Sequence, residues 1–442
     1  MSLDGAGPET RLSQLFDRLD AAPAFEQRGR VKGAIGTAIR VSGITARIGQ
    51  TCALLDRADQ PALLAEVVGI HQGETILAPL GDLRGLSVET EVVVRLGEDS
   101  VPVAESLLGR VLDARLQPLD AAPAVRGEST QPLYADAPNP MQRARIDRQI
   151  ETGVRAIDGV LPIGRGQRIG VFAAAGGGKS TLLGTLARQT EADAIVIALI
   201  GERGREVREF IEDNLGATGL ARSVVIVATS DRPALERVRA AHAATAIAEG
   251  FRRDGKHVLL LMDSVTRFSR ALREIGLSAG EPPVRRGFPP SVFAELPRLF
   301  ERAGTDAAGA ITGIYTVLLE DEEDDPVGEE VRSLLDGHII LSRKLAARGH
   351  YPAIDVLASQ SRLTTQLVSS EQQRAATGLR ALLAKLDEIE LIVQVGDYKP
   401  GQDALADRAL AMQAALDEFL RQRTHDRCEL VKTQIMLRGF EP

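Results

Sequence analysis

Residues 173–181 read Ala-Ala-Ala-Gly-Gly-Gly-Lys-Ser-Thr and stand between the apolar run Ile169–Phe172 and the helix-like run Leu182–Arg188. A strand, a glycine turn and a helix start in that order commit the surrounding chain to a βα arrangement built around a phosphate-cradling loop. Glycines let the backbone approach a polyphosphate and aim several N–H groups at it, and the helix N-terminus adds favourable charge. Ala175, Gly176, Gly177 and Gly178 are the expected cradle, with Thr181 in the first helical turn. Lys179 can reach the β and γ phosphates, and the Ser180 hydroxyl can join a Mg²⁺ shell. Ala173 replaces the first glycine of the general pattern, which an alanine tolerates where φ is negative. The implied ligand is a nucleoside triphosphate.

Two further apolar runs convert a binding loop into a candidate catalytic site. Ala194–Ile200 ends in Gly201-Glu202-Arg203, and Val258–Met262 ends in Asp263-Ser264. In a parallel sheet, ligands gather outside the carboxyl ends of the strands, where Glu202 and Asp263 fall. Asp263 is the expected second anchor for Mg²⁺. Glu202 is then placed to orient and polarise the attacking water, because phosphoryl transfer needs positioning and charge stabilisation more than covalent help. Taken alone, either acid would be read as a helix or turn cap. Their order behind the glycine loop favours catalysis.

The rest of the chain divides by pattern. Short β-type runs with regular Gly, Asp and Pro breaks fill residues 26–95 and predict a small β-barrel. Residues 96–150, rich in Pro, Ala and Asp, read as a linker. From 151 to 345, strands and helices alternate as in a doubly wound α/β core. Helical spacing over Gln360–Leu386 and Asp403–Arg423 predicts a C-terminal helical domain over 346–442. Residues 1–25 carry Leu12, Leu15, Phe16 and Leu19 at helical spacing, a docking or packing face. The loop Pro282–Ser291 is rich in Pro and Arg, and the acidic run Glu320–Asp325 reads as a solvated loop.

Charge and composition exclude some classes. A formal net charge of −8 opposes general polyanion binding, and the segment 26–133 contains no Phe, Tyr or Trp on which bases could stack. Both observations disfavour an RNA-tracking motor and predict no nucleic-acid partner. No apolar stretch approaches a membrane span, and the N-terminus lacks a secretory pattern, so a cytoplasmic location is expected. Cys52 and Cys428 are far apart with no metal-like spacing, consistent with a reducing compartment.

Beyond the glycine loop, a series of motifs stands in order: Gly-Glu-Arg-Gly-Arg-Glu-Val-Arg-Glu-Phe (201–210), Ala-Thr-Ser-Asp-Arg-Pro (228–233), Met-Asp-Ser-Val-Thr-Arg-Phe (262–268) and Arg-Arg-Gly-Phe-Pro-Pro-Ser (285–291). Leu-Asp-Gly-His-Ile (335–339), Leu-Ser-Arg-Lys-Leu (341–345) and Tyr-Pro-Ala-Ile-Asp-Val-Leu-Ala-Ser (351–359) follow. From about residue 26 to the C-terminus the chain resembles the ATPases of bacterial type III protein secretion, relatives of the rotary ATPase catalytic subunit. Gly-Gly-Gly-Lys-Ser is closer to the injectisome branch than to the flagellar one, which tends to Gly-Val-Gly-Lys-Ser.

The resemblance implies a P-loop core of the RecA/F1 type and Mg²⁺-dependent ATP hydrolysis in a homohexameric ring that energises export by releasing and unfolding effectors. Within it, Arg203 corresponds to an arginine near the γ phosphate, Tyr351 to the aromatic that packs on adenine, and Arg362 to a finger supplied to the neighbouring subunit. The implied partners are a stator-like regulator at the N-terminus, a central stalk at the axial loop 282–291, the export gate and sorting platform, and chaperone–effector complexes. Through them the chain would sit at the cytoplasmic face of the inner membrane. The alternatives are a flagellar export ATPase and, from other classes, a non-catalytic nucleotide-binding ring subunit or an RNA translocase.

Overall fold

The computed structural model describes residues 27–55, 61–95, 100–125, 127–174, 176–319 and 325–441. The amphipathic segment expected over 1–25, Ala175 of the cradle and most of the acidic run 320–324 lie outside them. The chain divides into two units, Met1–Glu98 and Asp99–Pro442.

In the first unit, six strands close into a barrel: β1 (Arg28–Ile35), β2 (Ala38–Ser42), β3 (Thr51–Leu55), β4 (Pro61–His71), β5 (Glu74–Pro79) and β6 (Glu91–Val94). Its strand order, β1-β2-β5-β4-β3-β6, is antiparallel throughout. The alternation of β2 and β3 turns Ile39, Val41, Cys52 and Leu54 inward, where they meet Val31, Val67 and Leu77 in one core. The β4–β5 hairpin needs two left-handed residues, supplied by Gln72 (φ 50°) and Gly73 (φ 80°), because such a turn follows the right-handed strand twist. Closure leaves no sheet edge open.

The second unit is built on a sheet ordered β17-β16-β10-β15-β13-β11-β12-β8. Its parallel strands are β8 (Val111–Asp113), β10 (Arg168–Ala173), β11 (Ala194–Ile200), β12 (Ser223–Ala228), β13 (His257–Asp263), β15 (Ala310–Leu318) and β16 (Gly337–Leu341). β17 (Ile354–Ser361) closes one edge antiparallel to β16. Every residue of β11 and β13 is buried, the signature of a sheet covered on both faces. Successive residues feed opposite cores. Val196, Ala198 and Ile200 join one with helices α2 (Ala234–Arg253), α3 (Val265–Ser278), α4 (Pro290–Glu301) and α5 (Pro326–Leu334). Ile195, Ile197 and Leu199 join the other with α1 (Lys179–Gln189), α6 (Ser370–Val395), α7 (Ala404–Leu420) and α8 (Leu430–Arg438). The fold class is the expected one: a doubly wound α/β core with an N-terminal barrel and a helical C-terminal region.

Two expectations change. The stretch 96–150, read as a linker, supplies strands from residue 100 onward: β7 (Ser100–Val103) pairs with β9 (Ser129–Pro132), and β8 forms the outer edge of the large sheet. Its Pro- and Ala-rich composition hid these pairings, whose partners are remote in sequence. Gly250 of α2 lies so close to Val103 that a Cβ there would fall 2.6 Å from a valine methyl, so β7 is pressed onto this helix. The helix expected from Gln360 begins instead at Ser370, capped by Ser369, and runs to Val395. Gln360 and Ser361 belong to β17, where they pair with His338 and Gly337.

Between α2 and the end of α4, Arg302 is buried against Glu249, with Nε at 2.9 Å from Oε1 and Nη2 at 2.7 Å from Oε2. A third bond from Nη1 to the Leu133 carbonyl, 2.8 Å, ties in the segment beyond β9. Burying this charge is tolerable because the fork is spent on a carboxylate and a carbonyl.

Candidate active site

β10 ends at Ala173 and α1 begins at Lys179, so the connecting loop lies at the carboxyl edge of the sheet. Gly176 and Gly178 both adopt φ 81°, a left-handed backbone that side chains strain. Gly178 caps α1, and a Cβ there would already stand 3.4 Å from the Tyr351 ring. Gly177 is buried beneath the loop, Ser180 is exposed in the first turn of α1, and Thr181 follows half-buried.

The neighbouring strands bring the acids to the same edge. Leu199 of β11 lies across from Asp263 of β13, and Met262 lies across from Tyr315 of β15. Glu202, three residues past Leu199, and Thr316, next to Tyr315, therefore converge on Asp263. The Lys179 ammonium makes a close ion pair with Asp263 and stands 3.4 Å from Glu202 Oε1. Arg267 Nη2 lies 3.2 Å from Glu202 Oε2, and the Thr316 hydroxyl donates to Asp263 Oδ1 at 2.8 Å. Glu202 and Asp263 are only 8% and 2% exposed.

That crowding sets the protonation chemistry. Burial pushes the Glu202 carboxyl up to about 7, and the Asp263 charge adds to it, while Lys179 and Arg267 oppose both. A hydrogen bond with Glu206 also favours the protonated form of Glu202, and the same bond holds Glu206 below its ordinary value. Glu202 is thus a carboxyl shifted toward neutrality at the mouth of the glycine loop.

Beside the loop lies a slot lined by Thr181, Leu182, Leu341, Tyr351, Pro352 and Gln422. The Tyr351 carbonyl accepts from Gln422 N–H at 2.8 Å. The Gln422 side chain reaches Gly153 O (2.6 Å) and accepts from Arg155 N (2.9 Å), so it fastens the helical region to the core. An aromatic ring 44% exposed over apolar neighbours suits a stacked planar base.

The two remaining arginines stand apart. The Arg203 guanidinium is exposed and pairs with Glu206 at 3.1 Å. Arg362 follows β17 at the other end of the sheet. Ala173 pairs with Leu341, and Leu341 with Ile354, at the loop edge, whereas Ser361 pairs with Gly337 at the amino edge. Four residue steps of strand, roughly 13 Å, separate the two ends. There the Arg362 side chain donates to the carbonyls of Arg332 (3.1 Å) and Ser333 (3.5 Å) at the last turn of α5, and its N–H to Asp336 O (3.0 Å).

Lys179, Glu202 and Asp263 are therefore brought together, with Ser180 one residue away and Tyr351 across Gly178. Sequence reasoning missed Arg267, Glu206 and Thr316. Arg267 stands in the same motif as Asp263, in the first turn of α3, whereas Asp263 ends β13. Thr316 left no signal, since it meets Asp263 only through the β13–β15 register.

The glycine loop, the three central strands and the start of β17 fall within residues 153–361, which match the ATP synthase alpha/beta family nucleotide-binding domain. Residues 368–439 match the T3SS EscN ATPase C-terminal domain. The chain is 55% identical over 397 residues to a type 3 secretion system ATPase of Xanthomonas euvesicatoria, covering 90% of both chains. It is 48% identical to a flagellum-specific ATP synthase of Treponema pallidum, covering 92% of this chain and 91% of that one. Among solved structures it resembles the assembled ATPase EscN in complex with its central stalk EscO, from the enteropathogenic E. coli type III secretion system. That likeness has a TM-score of 0.86 and 45% identity, over 94% of this chain and 100% of the other.

Proposed function

This chain belongs to the type 3 secretion system ATPase family and hydrolyses ATP to drive protein export, and on that premise we propose that its own residues form half of each catalytic site. The observation that carries this reading is Lys179, which bridges Asp263 and Glu202 at the mouth of the glycine loop.

The loop amides and Lys179 hold the β and γ phosphates of ATP, and Tyr351 covers the base. As the phosphates draw Lys179 away, Asp263 Oδ1 is left with the Thr316 hydroxyl alone. Glu202, kept upright by Arg267, accepts a proton from the attacking water, and Glu206 tunes how readily it does so. Arg203 lies on the same loop, one residue on, and is assigned to the developing charge on the γ phosphate.

Magnesium fits the donors present. Ser180 and Asp263 offer hard oxygen ligands, and the described residues hold no group of three or more His, Cys, Asp or Glu side chains suited to a metal. That matches an ion carried mainly by substrate phosphates and water with one or two protein ligands. When bound, it neutralises charge on the phosphate oxygens.

Arg362 cannot reach its own glycine loop, because it emerges at the opposite edge of the sheet. It serves the site of an adjacent copy, which calls for a ring, a homohexamer by analogy with rotary relatives. Fingers of this kind contribute about 10³–10⁵ in rate. Within such a ring, the loop 282–291, exposed from Pro282 to Gly287, would face a central stalk, and residues 1–25 a stator-like regulator. The helical region would meet the export gate, sorting platform and chaperone–effector complexes at the cytoplasmic face of the inner membrane. No described helix is long and apolar enough to cross a membrane. The identity to the flagellum-specific relative supports a second, narrower reading, export through a flagellar apparatus.

Mixing two inactive variants tests the shared site. Lys179→Ala retains Arg362, and Arg362→Ala retains Lys179, so mixed rings contain some complete interfaces. Recovery of ATP turnover on mixing is expected. A mixture as inactive as its components would refute the shared site.

A further inference from the structure

At the amino edge of the same sheet, away from the glycine loop, a second polar cavity of about 370 Å³ opens where β11, β12 and β13 begin. Arg148, Arg165, Arg222 and Arg427 line it, with Thr190 and His257 among the buried residues of its wall. Two carboxylates also line it, and both are engaged. Glu191 pairs with Arg148 at 2.6 Å, and Asp193 Oδ2 accepts the His257 backbone N–H at 2.7 Å. Arg427 draws on Glu151 at 2.6 Å. Arg222 is held by main-chain carbonyls, Thr190 O at 3.2 Å and Ala192 O. Arg165 has no carboxylate within ion-pair distance among the described residues.

The cavity therefore carries a surplus of fixed cations. Behind its wall, the Thr190 hydroxyl and the Gln189 Oε1 are both buried without a hydrogen-bond partner among the described residues. Arginine forks suit a tetrahedral oxyanion, and guanidinium pairs best with phosphate or carboxylate. We propose that this cavity is a second binding site for a phosphate group, separate from the triphosphate site and formed by Arg148, Arg165 and Arg222.

The test uses the full chain with its glycine loop filled by a non-hydrolysable ATP analogue, so that any added phosphate must bind elsewhere. Equilibrium dialysis with radiolabelled inorganic phosphate should find one phosphate per chain. An Arg148→Ser/Arg165→Ser double variant should bind it at least tenfold more weakly, an Arg374→Ser control should not, and ATP turnover should stay unchanged in both. Vesicles of phosphatidic acid, compared with phosphatidylcholine, form a second arm: retention there that needs the same arginines would assign the phosphate to a lipid headgroup. Absence of arginine-dependent binding in both arms would overturn the site.

Discussion

The Lys179 ammonium stands 3.4 Å from Glu202 Oε1 while it also pairs with Asp263, so the lysine of the glycine loop is held between two acids from neighbouring strand ends. Two buried carboxylates at one strand edge would repel each other, and this cation makes their proximity tolerable. Lys179→Ala should abolish turnover and also destabilise the free protein, since removing one partner of a buried pair costs about 3–5 kcal/mol before partial solvation is allowed for. The deficit should grow with pH. Without the cation the folded-state pKa of the Glu202 carboxyl rises further, and a raised folded pKa keeps stability at low pH and loses it as pH increases. Thermal unfolding of both proteins at pH 6 and pH 8 measures this. An equal deficit at the two values would count against the coupling.

The position of Glu202 predicts the pH profile of catalysis. A base must be unprotonated, so kcat/KM for ATP should rise with pH through about 7, the value to which burial pushes this carboxyl. Glu202→Gln should lower turnover by about 10²–10⁴ while retaining nucleotide binding. Glu206→Gln removes the charged acceptor of the Glu202 proton and should move the rising limb to lower pH. A limb unmoved by this change would remove Glu206 from the proton account.

Tyr351 is predicted to act through its ring and not its hydroxyl. Tyr351→Phe should leave KM for ATP near the parent value. Tyr351→Ala should raise it roughly three- to tenfold, the scale of one aromatic stacking contact. Steady-state kinetics on both variants decide the point.

Arg302 gives a prediction about the fold alone. Arg302→Ala leaves Glu249 buried without its partner and should cost about 3–5 kcal/mol, whereas Arg302→Met with Glu249→Leu should recover most of the loss. Denaturant unfolding of the two proteins makes the comparison. A double variant as unstable as the single one would show that the pair does more than satisfy its own charges.

Local physics made much of this protein legible in one dimension. The glycine loop announced itself because phosphate binding, left-handed turns and a helix start each demand particular residue types at fixed spacing. Glu202 and Asp263 were legible because an acid directly after an apolar run falls at the carboxyl edge of a parallel strand. The barrel followed from short strands and turn residues, such as those of β4 and β5. The strands between 100 and 132 were not legible, since an edge strand as short as Val111–Asp113 is stabilised by a partner more than a hundred residues away. Gln360 and Ser361 have helical neighbours, yet pairing with His338 and Gly337 overrides that local preference.

By itself, then, the sequence determined the chemistry available: a glycine loop, a lysine and two acids after strands. Only the tertiary structure decided how they meet. Parallel register set Asp263 against Thr316 and Lys179, burial raised the Glu202 carboxyl toward neutrality, and the antiparallel turn into β17 carried Arg362 to the far edge of the sheet. Spacing along a chain encodes which side chains share a turn or a strand end. Distances across a sheet depend on pairings between distant segments, and those exist only once the core has formed.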